Sequence, residues 1–390
     1  MEKIDSDILE EGGKIYMVKT CPSHGKTRSL IEKDAWLYRE ILNHKPGKRK
    51  FFDSLTITLT HDCNNNCFFC YLPKKKEKEK SLQDIKSEIA RFGGKYIRLS
   101  GGEPALRKEL SEIIRFASKN GKTVSLLTNG IKLSSPGYVG KLKDAGLGAV
   151  HLSINSLDRK LMKKIEGDNL PAKMAAMDNL KHSKIMTIFS FMAIKNWNEK
   201  EIPNIIDFCL MKRNINELRI RSAVHIGRHG NPERIFLSEI IKVLSNAIHI
   251  GKKQLLLECV LQEKIKRLIK NHSTILPCSL RITIFINNKK IEFLSEGIDF
   301  EVFKKSRSKN LMFLGNILKR RKAITLKLIA KRVLKNKSPR ELNVYIRSWP
   351  DKYTLDIDNI ERCMTAQLTK DNRIVPFCYS LVMNEKYNNI

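Results

Sequence analysis

From Phe51 to about Gly230 the chain alternates short β-branched runs with segments of helical period, a pattern that few folds can accommodate. Residues 54–60, 96–100, 123–128, 149–155, 185–193 and 217–223 read as strands. Between them apolar residues recur three and four apart. Leu82, Ile85 and Ile89 follow a capping box of Ser81 and Asp84, Leu106, Leu110, Ile113 and Ile114 run to a stop at Asn120-Gly121, Val139 and Leu142 form a short pair, and Ile202, Ile205, Ile206 and Cys209 stripe the last helix. A strand that returns parallel to its predecessor needs a crossover, which is usually a helix. Six such units predict an α/β chain, a partial (β/α)6 TIM-type barrel over 51–230. A short N-terminal extension at 1–50 and a mixed α+β C-terminal region at 231–390 flank it. Chemistry in such barrels gathers where the C-terminal ends of the strands open.

The residues after each strand are therefore the ones to read. Cys63-x3-Cys67-x2-Cys70 follows the first, Ser100-Gly101-Gly102-Glu103-Pro104 the second, Thr128-Asn129-Gly130 the third and Ser153-Ile154-Asn155 the fourth. Three of nine cysteines thus lie within eight positions. The charged N-terminal stretch has no apolar stretch of signal-peptide length and no apolar run approaches membrane-spanning length, so a cytoplasmic, thiol-reducing setting is expected. There, clustered cysteines point to metal before disulfides. Three thiolates at these spacings can cover three corners of a cubane iron-sulfur cluster and leave one iron open, whereas structural zinc takes four ligands in a closed tetrahedron. Paired glycines let backbone approach a ligand closely, and the carboxylate of Glu103 offers an acceptor for an ammonium group.

With Phe69 before the last cysteine and Gly101-Gly102-Glu103-Pro104 on the next strand, the chain resembles the radical S-adenosylmethionine superfamily. The resemblance implies a 4Fe-4S cluster on Cys63, Cys67 and Cys70 whose open iron binds the amino and carboxylate groups of S-adenosylmethionine. It implies cofactor contacts from Phe69, Gly101, Gly102, Glu103, Pro104, Asn129, Ser153 and Asn155, with adenine near Val224 to Gly227. Reductive cleavage of the cofactor to a 5'-deoxyadenosyl radical and hydrogen abstraction from an unactivated carbon follow from it, as does a reductant such as ferredoxin or flavodoxin.

Two further passages narrow the resemblance. Residues 12–41 read as a strand, a Cys21-Pro22-x-His24-Gly25 turn and a lead-in helix, and residues 360–381 as two short strands that bring Cys363 and Cys378 together. These are similar to the archaeal branch containing tetraether lipid synthase, which implies auxiliary metal centres and an isoprenoid lipid as one substrate class. Cys363, Cys378, Cys278 and either Cys21 or Cys259 are candidates for a second, auxiliary 4Fe-4S cluster. No cysteine precedes Cys21, so a four-thiolate N-terminal site is not expected, and Cys209 reads as core.

Net charge is +32, and fourteen Lys or Arg stand against Glu341 alone between Phe303 and Ile346. Within that segment Lys327, Lys331 and Lys335 oppose Leu326, Ile329 and Val333, the pattern of a cationic amphipathic helix able to lie on an anionic membrane surface or on the barrel. The expectation is carbon-carbon bond formation or alkylation on an isoprenoid-type lipid. The alternatives are modification of RNA or of a small metabolite such as a pterin, and a non-catalytic iron-sulfur or zinc protein. Nucleic acid is the less favoured partner, since the basic stretch lacks interleaved aromatics.

Overall fold

The computed structural model describes residues 4–305 and 340–386, apart from 24, 46–47, 49–50, 73–77, 225, 228–232, 269–277, 288–289, 352 and 370–372. The cationic amphipathic segment and His24 lie outside the described residues.

The N-terminal extension is a three-stranded antiparallel sheet of β1 (Ser6–Glu11), β2 (Lys14–Cys21) and β3 (Gly25–Glu32), followed by α1 (Ala35–Asn43). The sequence reading expected one strand here. β1 is exposed along its whole length, so it has no apolar face to announce it.

The alternating region folds as expected. β4 (Ser54–Thr58), β5 (Tyr96–Ser100), β6 (Thr123–Thr128), β7 (Leu147–Ser153), β8 (Met186–Ala193) and β9 (Ile215–Ser222) pair in parallel, in sequence order. The crossovers carry α2 (Leu82–Arg91), α3 (Leu110–Lys119), α4 (Pro136–Asp144), α5 (Arg159–Ile165), α6 (Leu170–His182) and α7 (Ile202–Met211). The Ser81–Asp84 capping box starts α2, and Gly121 follows the end of α3 at φ 70°.

The sheet does not stop at residue 230. After α8 (Leu237–Ala247) and α9 (Lys252–Leu268) come β10 (Ser279–Asn287), β11 (Lys290–Glu292) and α10 (Phe300–Lys305). β12 (Arg340–Arg347) then joins β9 in parallel. Beyond α11 (Ile357–Ile360), β13 (Thr365–Leu368) joins β4 in parallel at the opposite edge, and β14 (Ile374–Pro376) pairs with β13 ahead of α12 (Phe377–Lys386). The result is one open sheet of eleven strands, β11-β10-β12-β9-β8-β7-β6-β5-β4-β13-β14. It curls far enough that Arg347 of β12 and Cys363, just before β13, border one cavity.

The two faces of the strands are unlike. Leu55, Ile57, Ile97, Leu99, Val124, Leu126, Val150 and Leu152 are buried beneath the helices in one continuous apolar core, which also takes Cys209 and Cys259. Each such aliphatic side chain contributes about 1.5–3 kcal/mol on burial. The inward face instead carries Thr56, Arg98, His151, Ser190, Arg219, Arg221, Tyr345 and Arg347, which line cavities. No helix among the described residues is long and apolar enough to cross a membrane.

Candidate active site

The chain leaves β4 through Leu59-Thr60-His61-Asp62 and enters the three-cysteine loop, whose root is tied to the end of β5. Leu59 N–H donates to Ser100 O at 2.8 Å, Gly102 N–H to Thr60 O at 2.8 Å and Glu103 N–H to Asp62 O at 2.7 Å. A Cβ at Gly101 would lie 2.4 Å from Thr60 O, and one at Gly102 2.2 Å from Asp62 O. Gly101 also has φ 140°, a region side chains avoid. The glycine pair is therefore required first by close packing against the cysteine loop. Gly227 repeats the device from the end of β9, with φ 106° and a Cβ position 2.1 Å from Cys70 O.

Cys63, Cys67 and Cys70 line one cavity of about 850 Å³ with Phe69, Gly101, Gly102, Asn129, Ser153 and Asn155, so the three cysteines and six of the eight predicted cofactor contacts do converge. Asn129 Nδ2 donates to Asn64 Oδ1 at 2.8 Å and reaches Cys63 Sγ at 4.0 Å. Phe69, which borders the cavity, packs edge-on to Phe68, centroids 5.8 Å apart, and Phe68 meets Trp197 at 4.8 Å behind it.

Glu103 is placed differently from the expectation that it meets the cofactor's ammonium. It is wholly buried, starts a 3-10 turn over Pro104–Leu106, and accepts from Ala105 N–H at 2.9 Å, Thr128 Oγ1 at 2.7 Å and Asn129 N–H at 2.7 Å. Its carboxylate thus ties the β5 and β6 loops together, and neither it nor Pro104 borders the cavity. Burial raises its pKa, opposed by those hydrogen bonds.

The sequence reading missed a buried polar core behind the cysteines. Lys173 Nζ, on α6, bonds Glu166 Oε1 at 2.8 Å and Ser153 O at 2.7 Å, with both side chains essentially inaccessible. Glu166 Oε2 in turn accepts from Asn155 Nδ2 at 3.2 Å and approaches Cys67 Sγ at 3.6 Å. Asn155 is locked from its other end by Met192 N–H at 2.8 Å. Nothing in the spacing of Glu166 and Lys173 announces the pair, since a turn separates α5 from α6. Burial and then the Glu166 carboxylate push the Cys67 thiol up. His151 is buried with no partner at Nδ1 among the described residues, and burial with Arg219, Arg98 and Arg221 holds its pKa well below 6.5.

A second thiol group sits across the barrel. Cys278, Cys363 and Cys378 line a cavity of about 790 Å³ together with Arg347. Burial pushes the Cys278 thiol up to about 11, against the pull of Arg347, and pushes Cys378 up as well, with Cys363 and Cys278 adding to it. Two expected partners are elsewhere. Cys21 ends β2, roughly 13 Å of strand beyond Met17, which does line the cavity. Cys259 is in the apolar core. Strand register decides the first and the helix face decides the second.

Between the thiol groups lies a third cavity of about 1110 Å³, the barrel lumen. It shares Tyr71, Leu127 and Arg221 with the first cavity and Arg347 and Cys363 with the second. Among the described residues no three His, Cys, Asp or Glu close around a point as one metal ion requires. A cubane spreads its thiolates over separate irons, which suits Cys63, Cys67 and Cys70 at the edge of one cavity.

Comparison with known proteins agrees with this geometry. Residues 57–209 match the radical SAM superfamily and residues 1–33 an HMPTM N-terminal zinc ribbon domain, of whose residues Cys21 and His24 carry ligand chemistry. The chain is 25% identical to a 7,8-dihydro-6-hydroxymethylpterin dimethyltransferase of Methanocaldococcus jannaschii, over 97% of this chain and 90% of that one. It is 35% identical to a probable GTP 3',8-cyclase of Metallosphaera sedula over 40% of this chain, and spans about half, 51%, of the cyclase. Among solved structures, Streptococcus suis SuiB bound to S-adenosylmethionine aligns with a TM-score of 0.44 at 17% identity, over 50% of this chain and 47% of that one. With three cysteines after the first strand of a parallel β/α sheet and a glycine pair locked against them, residues 57–209 form a radical SAM domain, and the chain is an enzyme similar to members of that superfamily.

Proposed function

We propose that this enzyme activates a carbon-hydrogen bond of a small polar heterocycle of the pterin kind, held in the barrel lumen, and that the outcome is alkylation at carbon. The observation that carries the reading is the lumen itself. It opens on the cysteine-loop cavity, and its walls are hydroxyl, guanidinium and aromatic groups such as Thr56, Arg98, Tyr345 and Trp349. The similarity to a pterin dimethyltransferase along nearly the whole chain supports the same substrate class. Leu127, Ile220, Trp349, Met364 and Phe377 give the lumen apolar wall as well, so it is the guanidinium and hydroxyl groups among them that favour a polar heterocycle over an isoprenoid chain.

Cys63, Cys67 and Cys70, which line the cavity, would hold the 4Fe-4S cluster. The cluster and S-adenosylmethionine supply the hydrogen-abstracting radical, which is chemistry no side chain offers. The chain's own part is position and exclusion of water. Asn155 and Ser153, held by Glu166, Lys173 and Met192, present fixed polar groups to the cofactor. Phe69 and its aromatic neighbours form the apolar side. Tyr71, which donates to or accepts from Ser100 Oγ at 3.4 Å and packs edge-on to Trp349 at 5.5 Å, stands on the boundary between cofactor and substrate cavities. Cys278, Cys363 and Cys378 would hold an auxiliary cluster on the far side of the substrate.

Anaerobic reconstitution followed by a 5'-deoxyadenosine assay is the test. Wild type should release the nucleoside and Cys67→Ala should not; equal release removes the cluster assignment. Adding 7,8-dihydro-6-hydroxymethylpterin should raise the yield and give a heavier pterin by mass spectrometry. An unchanged pterin, with release of nucleoside intact, removes the substrate class. Iron bound per chain should fall in Cys363→Ala as well as in Cys67→Ala if the second triplet holds a cluster.

A further inference from the structure

The lumen is cationic beyond what its own acids balance. Arg98, Arg219, Arg221, Arg347 and Arg362 all border it. Arg219 Nε is paired with Glu217 Oε1 at 2.5 Å, and Arg362 Nη2 with Asp358 Oδ2 at 3.0 Å. Burial lowers the pKa of Arg347, and the Cys363, Cys278 and Cys378 thiols that share its cavity more than offset this. That leaves Arg98 and Arg221, which have no carboxylate within ion-pairing distance among the described residues. Each is anchored by one neutral hydroxyl. Arg98 Nη1 donates to Thr365 Oγ1 at 3.0 Å, and Arg221 Nη1 to Ser190 Oγ at 3.1 Å. Both guanidiniums sit deep in the barrel yet keep accessible surface toward the cavity. Burial, then the neighbouring arginines Arg219 and Arg347, push both down to about 9.

Burying two like charges without counter-ions is costly, and a chain gains nothing in stability by it. A guanidinium has five N–H donors in a planar fork matched to phosphate and carboxylate oxygens, and one anchored N–H leaves the rest of each fork available. The remaining wall adds neutral hydrogen-bonding groups, the Thr56 and Ser279 hydroxyls, and His151 Nδ1 has no partner nearby in the adjoining cavity.

We propose that the lumen is an anion-recognition site, so that the substrate carries a group with at least two negative charges, a phosphate ester or a polycarboxylate, gripped by Arg98 and Arg221. The inference rests on the reading that the lumen holds the substrate, and deepens it: the free pterin of the assay above is then the heterocyclic part of the substrate without its anionic group, and should act less well than a form that carries one. Arg221 borders both cavities and Arg98 only the lumen, so the anion lies at depth and the remainder of the substrate extends past Tyr71 and Leu127 toward the cysteine loop. The anion completes a charge balance that the folded chain leaves open.

The test uses the anaerobically reconstituted full chain, with inorganic pyrophosphate and citrate as probes, read by calorimetry and by the thermal midpoint. Either probe should bind wild type and raise its midpoint. Stronger binding of pyrophosphate points to a phosphate ester and stronger binding of citrate to a polycarboxylate. Surface lysines on a +32 chain also attract anions, so dependence on Arg98 decides the matter. Arg98→Gln should weaken the preferred probe at least about tenfold, the scale of a lost charged hydrogen bond. Its midpoint without probe should equal or exceed that of wild type, because a repelled charge is gone. Arg98→Lys, which keeps charge without the fork, should fall between the two. No binding to wild type, or unchanged affinity in Arg98→Gln, overturns the proposal, and a lowered midpoint with unchanged affinity makes Arg98 structural. The wild-type 5'-deoxyadenosine assay is independent: nucleoside release without anion binding sinks this inference alone, and anion binding without release sinks the cluster assignment alone.

Discussion

Lys173 is the residue on which the cofactor side of the barrel turns. Its ammonium is inaccessible and meets Glu166, which holds Asn155 and lies beside Cys67. Replacing one member of such a pair strands the other charge, so Lys173→Met should cost about 3–5 kcal/mol in denaturant unfolding, and a loss below about 1 kcal/mol would show the pair to be dispensable. His151 offers a pH readout. Its pKa is depressed in the folded chain by burial, then by Arg219, Arg98 and Arg221, while the unfolded chain protonates near 6.5. Below that pH the unfolded state binds a proton the folded state refuses. Stability therefore falls as pH drops under about 6.5, by up to about 1.4 kcal/mol per unit from this group. His151→Gln should flatten the slope of unfolding free energy between pH 6.5 and 5; an unaltered slope assigns the effect elsewhere. Glu103 carries a different lesson. Its type and place after β5 are plain in the sequence, but the direction of its carboxylate depends on Thr128 and Asn129 from the next strand.

At the scale of elements, local chemistry was legible wherever it is short-range. Ser81 and Asp84 make the reciprocal cap that their spacing foretells, with Asp84 N–H donating to Ser81 Oγ at 3.1 Å and Ser81 N–H to Asp84 Oδ2 at 3.2 Å. Ser81→Ala should lower stability by about 1 kcal/mol, measured by denaturant midpoint at unchanged m-value. The six barrel strands were legible for the same reason, because one face of each enters an apolar core and imposes a period of two. β1 has no such face and left no signal. β12 shows apolar alternation, with Leu342, Val344 and Ile346 buried, yet nothing local says that it pairs with β9 from more than a hundred residues away.

At the scale of the molecule, that pairing matters most. β12 covers the β9 edge and β13 the β4 edge, so the stretch 51–230 is not bounded by its own strands. A fragment cut at 230 should expose both edges and the apolar surface under α8 and α9, and should aggregate or remain partly unfolded by circular dichroism and size-exclusion chromatography. A soluble, cooperatively melting fragment would show the C-terminal strands to be an addition. The sequence by itself determined the β/α alternation, the cysteine spacing and the glycine pair after the next strand, because each is read from neighbours within a few residues, whereas the packing of those glycines on the cysteine loop, about forty residues back in the chain, is tertiary. The tertiary structure alone decided that the polar face of the strands is a lumen rather than a solvent surface. A period of two says only that alternate side chains point opposite ways. Curling the sheet until Arg98, Arg221 and Arg347, from strands far apart in the chain, border one cavity turns three unremarkable strand residues into a field with a charge to be met.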